Sequence, residues 1–429
     1  MIEMKTGIHG MNKEIESLEP LAEKAWGMVW SRLSHERTSL FYDFASSTEH
    51  DLRFEYFPTQ GDIARQVPNP NGWGTGMEDS TITGGVLLAC VCDRYDATKD
   101  LETLRPAAAR IFAGLHLCGT KSRAEGFVLR SVSPQDGASY YIETSRDQLT
   151  HYAHGLWRYY HSPLSTERER AMMRDLIAAL CRRLERYIVP ERNYHFCKEN
   201  DEPGRYDKMW NVDPHEVARL PMIYGVGWEL TGDEHWNKLY RSYVGEALKQ
   251  AATLRPDEQD WCYALFQHQV SLEVLASLSG ETEEMRKAWS QQMCQLGQSL
   301  ARYVRTIRDY APIDLAQLKR ELREPTLVDD GGYMCNEVPA LKMERPLREL
   351  GEALLIKLMA NLALDEEDVR HLSYALTAVD YEKAFCCYML YPQAAYWRYR
   401  ANLARETLKR GGVAKNKPAK IGCNKNNIR

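Results

Sequence analysis

Two adjacent carboxylates, Glu78 and Asp79, stand beside Trp73 and five glycines in the stretch "NGWGTGMEDSTITGG" (71–85). Glycoside hydrolysis uses one carboxyl group as an acid and another to activate water, and an indole face can stack on a pyranose ring. Helix capping is the alternative, because Thr75 and Glu78 have the spacing of a capping box. The stretch alone leaves both interpretations open.

A second candidate acid, Asp147, follows Arg146 in "SRDQLTHYAHGLWRYY" (145–160). Ser145 and Gln148 also have capping-box spacing, which predicts a helix starting near 146. Asp147 would then lie in the first turn, where the helix dipole favours a negative charge whatever the function. Whether Asp147 has a catalytic role therefore depends on which side chains face it.

The same helix carries a polar stripe. At 100° per residue, Asp147, His151, His154 and Arg158 fall on one face, opposite an apolar face. The stripe fits either a functional surface or an ordinary solvated one. A metal site is not favoured, because the chain has no HExxH pattern and no third ligand near the two histidines. We therefore expect no metal and no organic cofactor, and neither a GxGxxG after a strand nor a P-loop occurs.

Two further helix starts are predicted downstream. In "WNVDPHEVAR" (210–219), Asp213 is placed as the N-cap and Glu216 three residues later, with His215 between them. In "RPDEQDWCYALFQHQ" (255–269) a helix is predicted to begin near 258. If the helices starting near 76, 146, 214 and 258 open at the same end of the fold, their polar first turns meet there.

Aromatic residues accompany these helix starts. Trp73, Trp210 and Trp261 each lie at or near a start that bears a carboxylate, and Tyr206 occupies a comparable approach. Such rings could bind the C–H faces of a sugar. The alternative is that they belong to the core, as most aromatic residues of a helical protein do.

The elements that must position these residues are helical hairpins. Helices end in turns such as "LTGDEHW" (230–236), "LSGETEE" (278–284) and "LALDEED" (362–368), and an amphipathic helix follows each turn. Strand-like alternation is confined to short pieces, chiefly 126–132. The absence of a low-complexity linker favours one domain, predicted at 20–405 between an N-terminal segment (1–19) and a basic tail (406–429).

Composition narrows the function classes. Sixty acidic and 55 basic residues give a net charge of −5, with no basic block outside the tail, which argues against a nucleic-acid surface. Eleven cysteines without CxxC spacing are interpreted as reduced thiols. The first residues lack the apolar run of a secretion signal, and no segment could span a bilayer. We expect a cytoplasmic protein, or a periplasmic or secreted one if a signal peptide has been removed.

Helical hairpins joined by "TGD" or "SGE" turns resemble the six-hairpin glycosidase superfamily, an all-α (α/α)6 toroid. "GWGTGMED" and "SRDQLTHYAHGLW" are similar to segments of its unsaturated glucuronyl and rhamnogalacturonyl hydrolases, although Asp147 replaces the small residue usual after the arginine. The resemblance implies an inner ring of helices, an active site at one end of it, and acid and base catalysis by aspartates from different inner helices.

The expected function is therefore a glycoside hydrolase acting on oligosaccharide fragments, including uronate-containing ones. Two alternatives stay open: an epimerase, isomerase or polysaccharide lyase that uses histidine or tyrosine, and a non-catalytic carbohydrate-binding protein. Asp79 and Asp147 are the leading catalytic pair, with Glu78 in reserve. The predicted substrate-binding residues are Trp73, Arg146, His151, Tyr206, Trp210, His215 and Trp261.

Overall fold

A computed structural model describes residues 12–259, 262–306, 318–328, 332–336 and 338–412. Twelve helices of this described part build the architecture. They are α1 (Glu19–Met28), α2 (Ser80–Thr98), α3 (Leu101–Thr120), α4 (Arg146–Tyr160), α5 (Glu167–Tyr187), α6 (Arg219–Thr231), α7 (Glu234–Ala251), α8 (Cys262–Leu275), α9 (Glu283–Thr306), α10 (Pro339–Met359), α11 (Glu366–Thr377) and α12 (Leu390–Gly412). A π-helical turn, Val29–Leu33, continues α1, and Gln60–Ala64 is a short separate helix.

The even-numbered helices form a closed inner ring. Each of them packs against the next, and α12 packs back against α2. The odd-numbered helices lie outside. Those from α3 to α11 pack against the inner helices that precede or follow them in the chain, and α1 packs against α12. The fold is thus an all-α (α/α)6 toroid of six hairpins, as the sequence predicts.

Burial separates the two layers. Every residue of α2 from Ser80 to Asp93 is buried, as is every residue of α8 except Tyr263, because an inner helix touches its two ring neighbours, an outer helix and the axis of the ring. The outer helices α5 and α7 bury one stripe and expose the other. An amphipathic period is therefore clear in the outer helices α5 and α7 and weak in α2 and α8, whereas the inner helix α4 keeps a polar stripe.

The joints form as their sequences predict. Gly232 adopts φ +71° after α6, and the Asp233 side chain then caps α7 by accepting from the backbone N–H of His235. Asp365 caps α11 in a complete capping box with Asp368. A residue in the left-handed conformation ends one helix, and an aspartate caps the start of the next. Such turns reverse the chain direction and produce the helical hairpins.

The inner helices run in the same direction. Near their starts, Gln148 of α4 bonds to Asp79 at the start of α2, and Arg219 of α6 pairs with Asp147 of α4. Near their ends, Arg158 of α4 pairs with Asp93 of α2. We call the two faces of the ring its N-terminal end and its C-terminal end.

Three predicted capping boxes are wrong, and three predicted helix starts differ from the structure. Of these, the start expected near 258 falls in a 3-10 turn, and α8 is described from Cys262. The side chain of Thr75 bonds to the carbonyl oxygen of Gly72, and α2 begins at Ser80. Ser145 is the N-cap of α4, but its side chain makes no capping bond, and the Gln148 side chain bonds to α2. In the first box both side chains bond within the loop that precedes α2, whereas in the second the Gln148 side chain joins α4 to the start of α2.

The third box fails in the same way as the second. The helix α6 begins at Arg219 rather than near 214, and its N-cap is Ala218. Glu216 pairs with Arg146, outside its own helix. The strand expected at 126–132 is also absent. The backbone of this buried segment bonds to the ends of neighbouring elements, as in the bond from Leu129 N–H to the carbonyl oxygen of Cys118.

The strands of the described part form a two-stranded antiparallel hairpin, β1 (Thr326–Val328) and β2 (Met334–Asn336). This hairpin lies against the loop 69–76, where the Asn69 side-chain amide donates to the carbonyl oxygen of Met334 at 2.5 Å. Within the described residues, no helix has the length and apolarity that crossing a bilayer requires. The last inner helix continues to Gly412, so residues 406–412 are helical.

Candidate active site

The loop that carries Glu78 and Asp79 is held open by backbone geometry. Gly72, Gly74 and Gly76 all have positive φ, and a Cβ on Gly74 would lie 2.1 Å from the carbonyl oxygen of Asn336 in β2. The side chain of Asn69 accepts the backbone N–H of Trp73 at 2.7 Å. The loop is therefore a rigid turn that delivers two acids to the N-terminal end of the ring.

Asp43 holds the backbone of these two acids in place. Its carboxylate accepts the backbone N–H of Glu78 at 2.9 Å and that of Asp79 at 2.7 and 2.8 Å. The side chain is almost fully buried, and burial, together with the charges of Asp79 and Glu78, raises the pKa of Asp43 well above its ordinary value. We did not select Asp43 from the sequence, where an acid inside the apolar run "FYDFA" was the available signal.

Asp79 is the N-cap residue of α2, yet it makes no capping bond. Its Oδ1 accepts from the side-chain amide of Gln148 at 2.7 Å and from Arg130 at 3.3 Å. The other oxygen, Oδ2, has no hydrogen-bond partner among the described residues, and 30% of the side chain is exposed. One oxygen is thus oriented and the other is open to a ligand.

The pKa of Asp79 is raised. Burial is the main cause, and the charge of Asp147 adds to it, while Arg130 and Arg348 act in the opposite direction. Because Asp147 contributes to this shift and its neighbour Gln148 bonds directly to Asp79, the first turns of α2 and α4 meet at the N-terminal end.

Asp147 has the opposite electrostatic character. Its Oδ1 accepts a bond from Arg219, its Oδ2 has no partner within the described ranges, and 28% of the side chain is exposed. Burial alone would raise its pKa, but Arg219 and then Arg146 outweigh that effect and hold the pKa below the ordinary value. Arg219 is itself fixed by Gln267 of α8, at 2.6 Å. Asp147 therefore releases its proton more readily than an ordinary aspartate, whereas Asp79 holds its proton more tightly.

Glu78 is a second protonated candidate. Its Oε2 accepts the backbone N–H of Gly74 at 2.5 Å, and burial, followed by the charge of Asp79, raises the pKa of Glu78 to about 8. The loop 69–79 thus supplies two neighbouring carboxyl groups that hold a proton more tightly than usual, and α4 supplies one that releases it.

The polar stripe of α4 faces the ring axis, so its interpretation as a solvated surface is wrong. His151 is 1% exposed and lies against Phe266, and His154 is 4% exposed and bonds Glu273 at 2.8 Å. Burial lowers the pKa of both histidines. The predicted role of His151 in substrate binding finds no support in this placement, because its side chain is inside the ring.

Three predicted substrate-binding residues are brought together beside the carboxylates. The rings of Trp73 and Tyr206 lie 5.9 Å apart, and the backbone N–H of Arg146 donates to the carbonyl oxygen of Tyr206 at 2.9 Å. The guanidinium of Arg205 stacks on both rings, at 5.3 and 5.1 Å from their centroids. This group forms an aromatic wall next to Asp147.

The remaining predicted residues are distributed differently. His215 is largely buried near Glu216, at 3.7 Å, and burial lowers its pKa. Trp210 packs against Tyr243 of the outer helix α7, with the ring centroids 4.6 Å apart. Trp261 lies outside the described residues. The structure therefore does not bring Trp210 to Asp79.

Arg348 of α10 is a site residue that we did not select from the sequence. Its guanidinium lies 4.9 to 5.8 Å from the ring centroids of Tyr263, Tyr388 and Tyr391, and its charge acts on the pKa of Asp79. The Nε atom donates to Glu352 at 2.7 Å, whereas the two terminal nitrogens make no hydrogen bond to the described part of the chain. Arg348 therefore offers two charged donors to a ligand.

No group of three or more histidine, cysteine or acidic residues could hold a metal ion in the described ranges. No protein-family model and no curated protein matches the sequence. Among solved structures, the chain is similar to Bacteroides ovatus GH9, with 11% identity and a TM-score of 0.43, over 90% of this chain and 83% of that one. The fold and the site described above stand on the contacts of this chain.

Proposed function

We propose that the chain is a glycoside hydrolase that cleaves oligosaccharide fragments at the N-terminal end of the ring. Asp79 protonates the departing oxygen, and Asp147 takes the proton of the attacking water. The observation that carries this proposal is geometric: the first turns of α2 and α4 are joined by the bond from Gln148 to Asp79, and each turn holds a partly exposed aspartate. The opposite directions of the two pKa shifts support separate roles as acid and base.

The arrangement of the oxygens supports the same assignment. Each aspartate has one oxygen held by fixed donors and one without a described partner. A held oxygen orients the group, and the unpartnered one can exchange a proton with substrate or water. Glu78 is the alternative acid, because its pKa is raised to about 8.

The substrate class proposed is an oligosaccharide with an acidic sugar, as in the unsaturated glucuronyl and rhamnogalacturonyl hydrolases that the motifs resemble. Arg348 supports it, because two guanidinium nitrogens without described partners match the two oxygens of a carboxylate. The wall of Trp73 and Tyr206 offers ring faces to the sugar.

The test is a screen of saturated and unsaturated uronide oligosaccharides, with neutral oligosaccharides of equal length as the comparison, read by mass spectrometry. Hydrolysis adds the mass of water, lyase action gives an unsaturated product, and isomerisation leaves the mass unchanged. We expect addition of water to uronides and its loss in Asp79→Asn and Asp147→Asn. Full turnover in both variants would refute the proposed pair.

A further inference from the structure

The hairpin of β1 and β2 lies beside the aromatic wall of the candidate active site. Its Tyr333 stands immediately before β2, and the guanidinium carbon of Arg205 lies 4.7 Å from the centroid of the Tyr333 ring. The same carbon lies 5.1 Å from the ring centroid of Tyr206 and 5.3 Å from that of Trp73. One cation therefore connects the ring of the hairpin with the two rings next to Asp147 by cation–π contacts.

A buried carboxylate fixes the position of Tyr333. Glu143 lies shortly before the N-cap of α4, and it has no exposed surface. Its Oε2 accepts from the Tyr333 hydroxyl at 3.0 Å, and its Oε1 accepts from the backbone N–H of Arg205 at 2.6 Å. Because a buried acceptor is costly to leave without its donors, Glu143 holds the hairpin and the wall together.

The backbone of the hairpin is also tied to the loop that carries the acids. The side-chain amide of Asn69 donates to the carbonyl oxygen of Met334, the residue after Tyr333. On the same side, Gly74 packs directly against the backbone of Asn336. Tyr333 is thus held through its hydroxyl and through its neighbouring backbone, and such preorganisation lowers the entropy cost of binding a ligand.

The four stacked side chains remain accessible to a ligand. Trp73, Arg205, Tyr206 and Tyr333 are all partly exposed. Tyrosine and tryptophan offer apolar ring faces beside a polar group, which suits the C–H faces and hydroxyl groups of a pyranose. The guanidinium of Arg205 brings N–H donors to the same surface. This surface therefore has the chemistry of a sugar-binding site, and it extends beyond the two rings next to Asp147.

We infer that Tyr333 and Arg205 form a further sugar-binding subsite, and that the protein therefore prefers oligosaccharides of three or more units to disaccharides. Two units flank the cleaved bond beside Asp79 and Asp147, and a third reaches the ring of Tyr333. The inference rests on the proposed function, because an oligosaccharide must lie at the N-terminal end of the ring for its next unit to meet the hairpin. Tyr333 then determines the preferred chain length and takes no part in bond cleavage.

Calorimetric titration tests the inference, with saturated and unsaturated galacturonides of two, three and four units as probes. The parent protein is the full chain carrying Asp147→Asn, and hydrolysis of the same compounds by the wild type is followed in parallel by mass spectrometry. We expect the trisaccharides to bind about tenfold more tightly than the disaccharides, because a third unit stacks on an additional ring. Tyr333→Ala should abolish this difference.

Two further variants separate stacking on the ring from mere support of the hairpin. Tyr333→Phe keeps the ring and loses the bond to Glu143, so its trisaccharide affinity should stay within about threefold of the parent. Leu327→Ala removes a side chain of the same hairpin from a residue that is 45% exposed, and it should bind like the parent. Circular dichroism melting of each variant verifies folding.

The two assays distinguish failure of the subsite from failure of the proposed hydrolysis. Equal affinity for disaccharides and trisaccharides overturns the subsite, as does absence of binding to every compound. Binding by Tyr333→Phe that is as weak as that of Tyr333→Ala also overturns it, because the hydroxyl and not the ring would then be responsible. A preference for trisaccharides that is lost in Tyr333→Ala supports the subsite, and absence of hydrolysis beside it would refute the proposed reaction alone.

Discussion

Asp79 and Asp147 illustrate how neighbours decide the chemistry of one residue type. Both lie at helix starts, and both keep close to 30% of the side chain exposed. Arg219 and Arg146 lower the pKa of Asp147, while burial raises the pKa of Asp79. The helix dipole acts on both aspartates and cannot explain the difference between them.

At this scale the first prediction concerns Asp147→Asn. The amide oxygen can still accept from Arg219, so we expect the melting temperature to fall by less than about 5 °C. Turnover should fall by at least about 100-fold, because an amide cannot take a proton from water. Both quantities are measured on one preparation. Asp213→Asn, a change in an exposed aspartate near the same end, is the control and should leave both unchanged.

The second prediction is a pH profile with two limbs. Turnover should fall at low pH as Asp147 takes a proton, below its ordinary pKa of about 3.9, and at high pH as Asp79 loses its proton, above that value. Arg130 lowers the pKa of Asp79. Arg130→Gln should therefore move the high-pH limb upward, and Arg130→Lys should leave it in place. A limb that moves downward in Arg130→Gln would contradict the role of Asp79 as the acid.

The sequence reveals part of the site at this scale. Asp79 and Asp147 can be predicted from the sequence because each stands at a helix start beside a polar or aromatic residue. Asp43, Arg219 and Arg348 were not, because their roles depend on contacts between segments that lie far apart in the chain. Local spacing cannot report which arginine faces which acid.

At the scale of the elements, α2 and α4 make the closest contact that the site needs. A Cβ on Gly85 would lie 2.2 Å from the carbonyl oxygen of His151, and one on Gly155 would lie 2.8 Å from the Cα of Gly85. Two glycines let the helix backbones touch, and this contact sets the approach of Asp79 to Gln148.

The third prediction is that Gly85→Ala separates these helices. We expect the free energy of unfolding to fall by about 1–3 kcal/mol, the range for overpacking, and turnover to fall with it. Gly245→Ala makes the same change in the outer helix α7, where nothing lies within 4 Å of the added methyl group. It should raise the unfolding free energy by about 0.5–1 kcal/mol. Denaturant titration measures both, and equal effects would show that the close contact is unimportant.

The elements themselves were largely predictable. Joints such as Gly232 and Asp233 follow from turn chemistry that depends on adjacent residues, so they form where the sequence predicts them. The capping boxes at 75–78 and 145–148 failed because Glu78 and Gln148 bond outside the expected pairs. The capping-box rule fails where a polar side chain takes part in the candidate active site.

At the scale of the whole molecule, a buried ionic cluster joins four inner helices. Asp93 of α2 pairs with Arg158 of α4 and with Arg398 and Arg405 of α12, and Glu273 of α8 pairs with Arg398. Burial alone would raise the pKa of Asp93, but the three arginines outweigh it and lower that pKa. The cluster therefore links stability to pH.

The fourth prediction is that Asp93→Asn lowers the unfolding free energy at pH 7 by about 3–5 kcal/mol, because buried arginines lose their partner. A carboxyl group with a lowered pKa stabilises the fold above its unfolded pKa of about 3.9 and ceases to do so as the pH falls through its folded value. The difference in unfolding free energy between Asp93→Asn and the wild type should therefore decrease below about pH 4. Asp96→Asn, nearer the surface, should cost less than about 1 kcal/mol. A gap that widens on acidification would contradict this account.

Closure of the ring by α12 also has a consequence in time. During synthesis, the face of α2 that α12 will cover stays open while the ribosome adds about 300 residues, which takes about 15–60 s at 5–20 residues per second. Apolar side chains of α2 are exposed for that whole interval. The incomplete ring therefore exposes an apolar face that favours aggregation until α12 is made. Expression at low temperature or with a bound chaperone should increase the yield of folded protein.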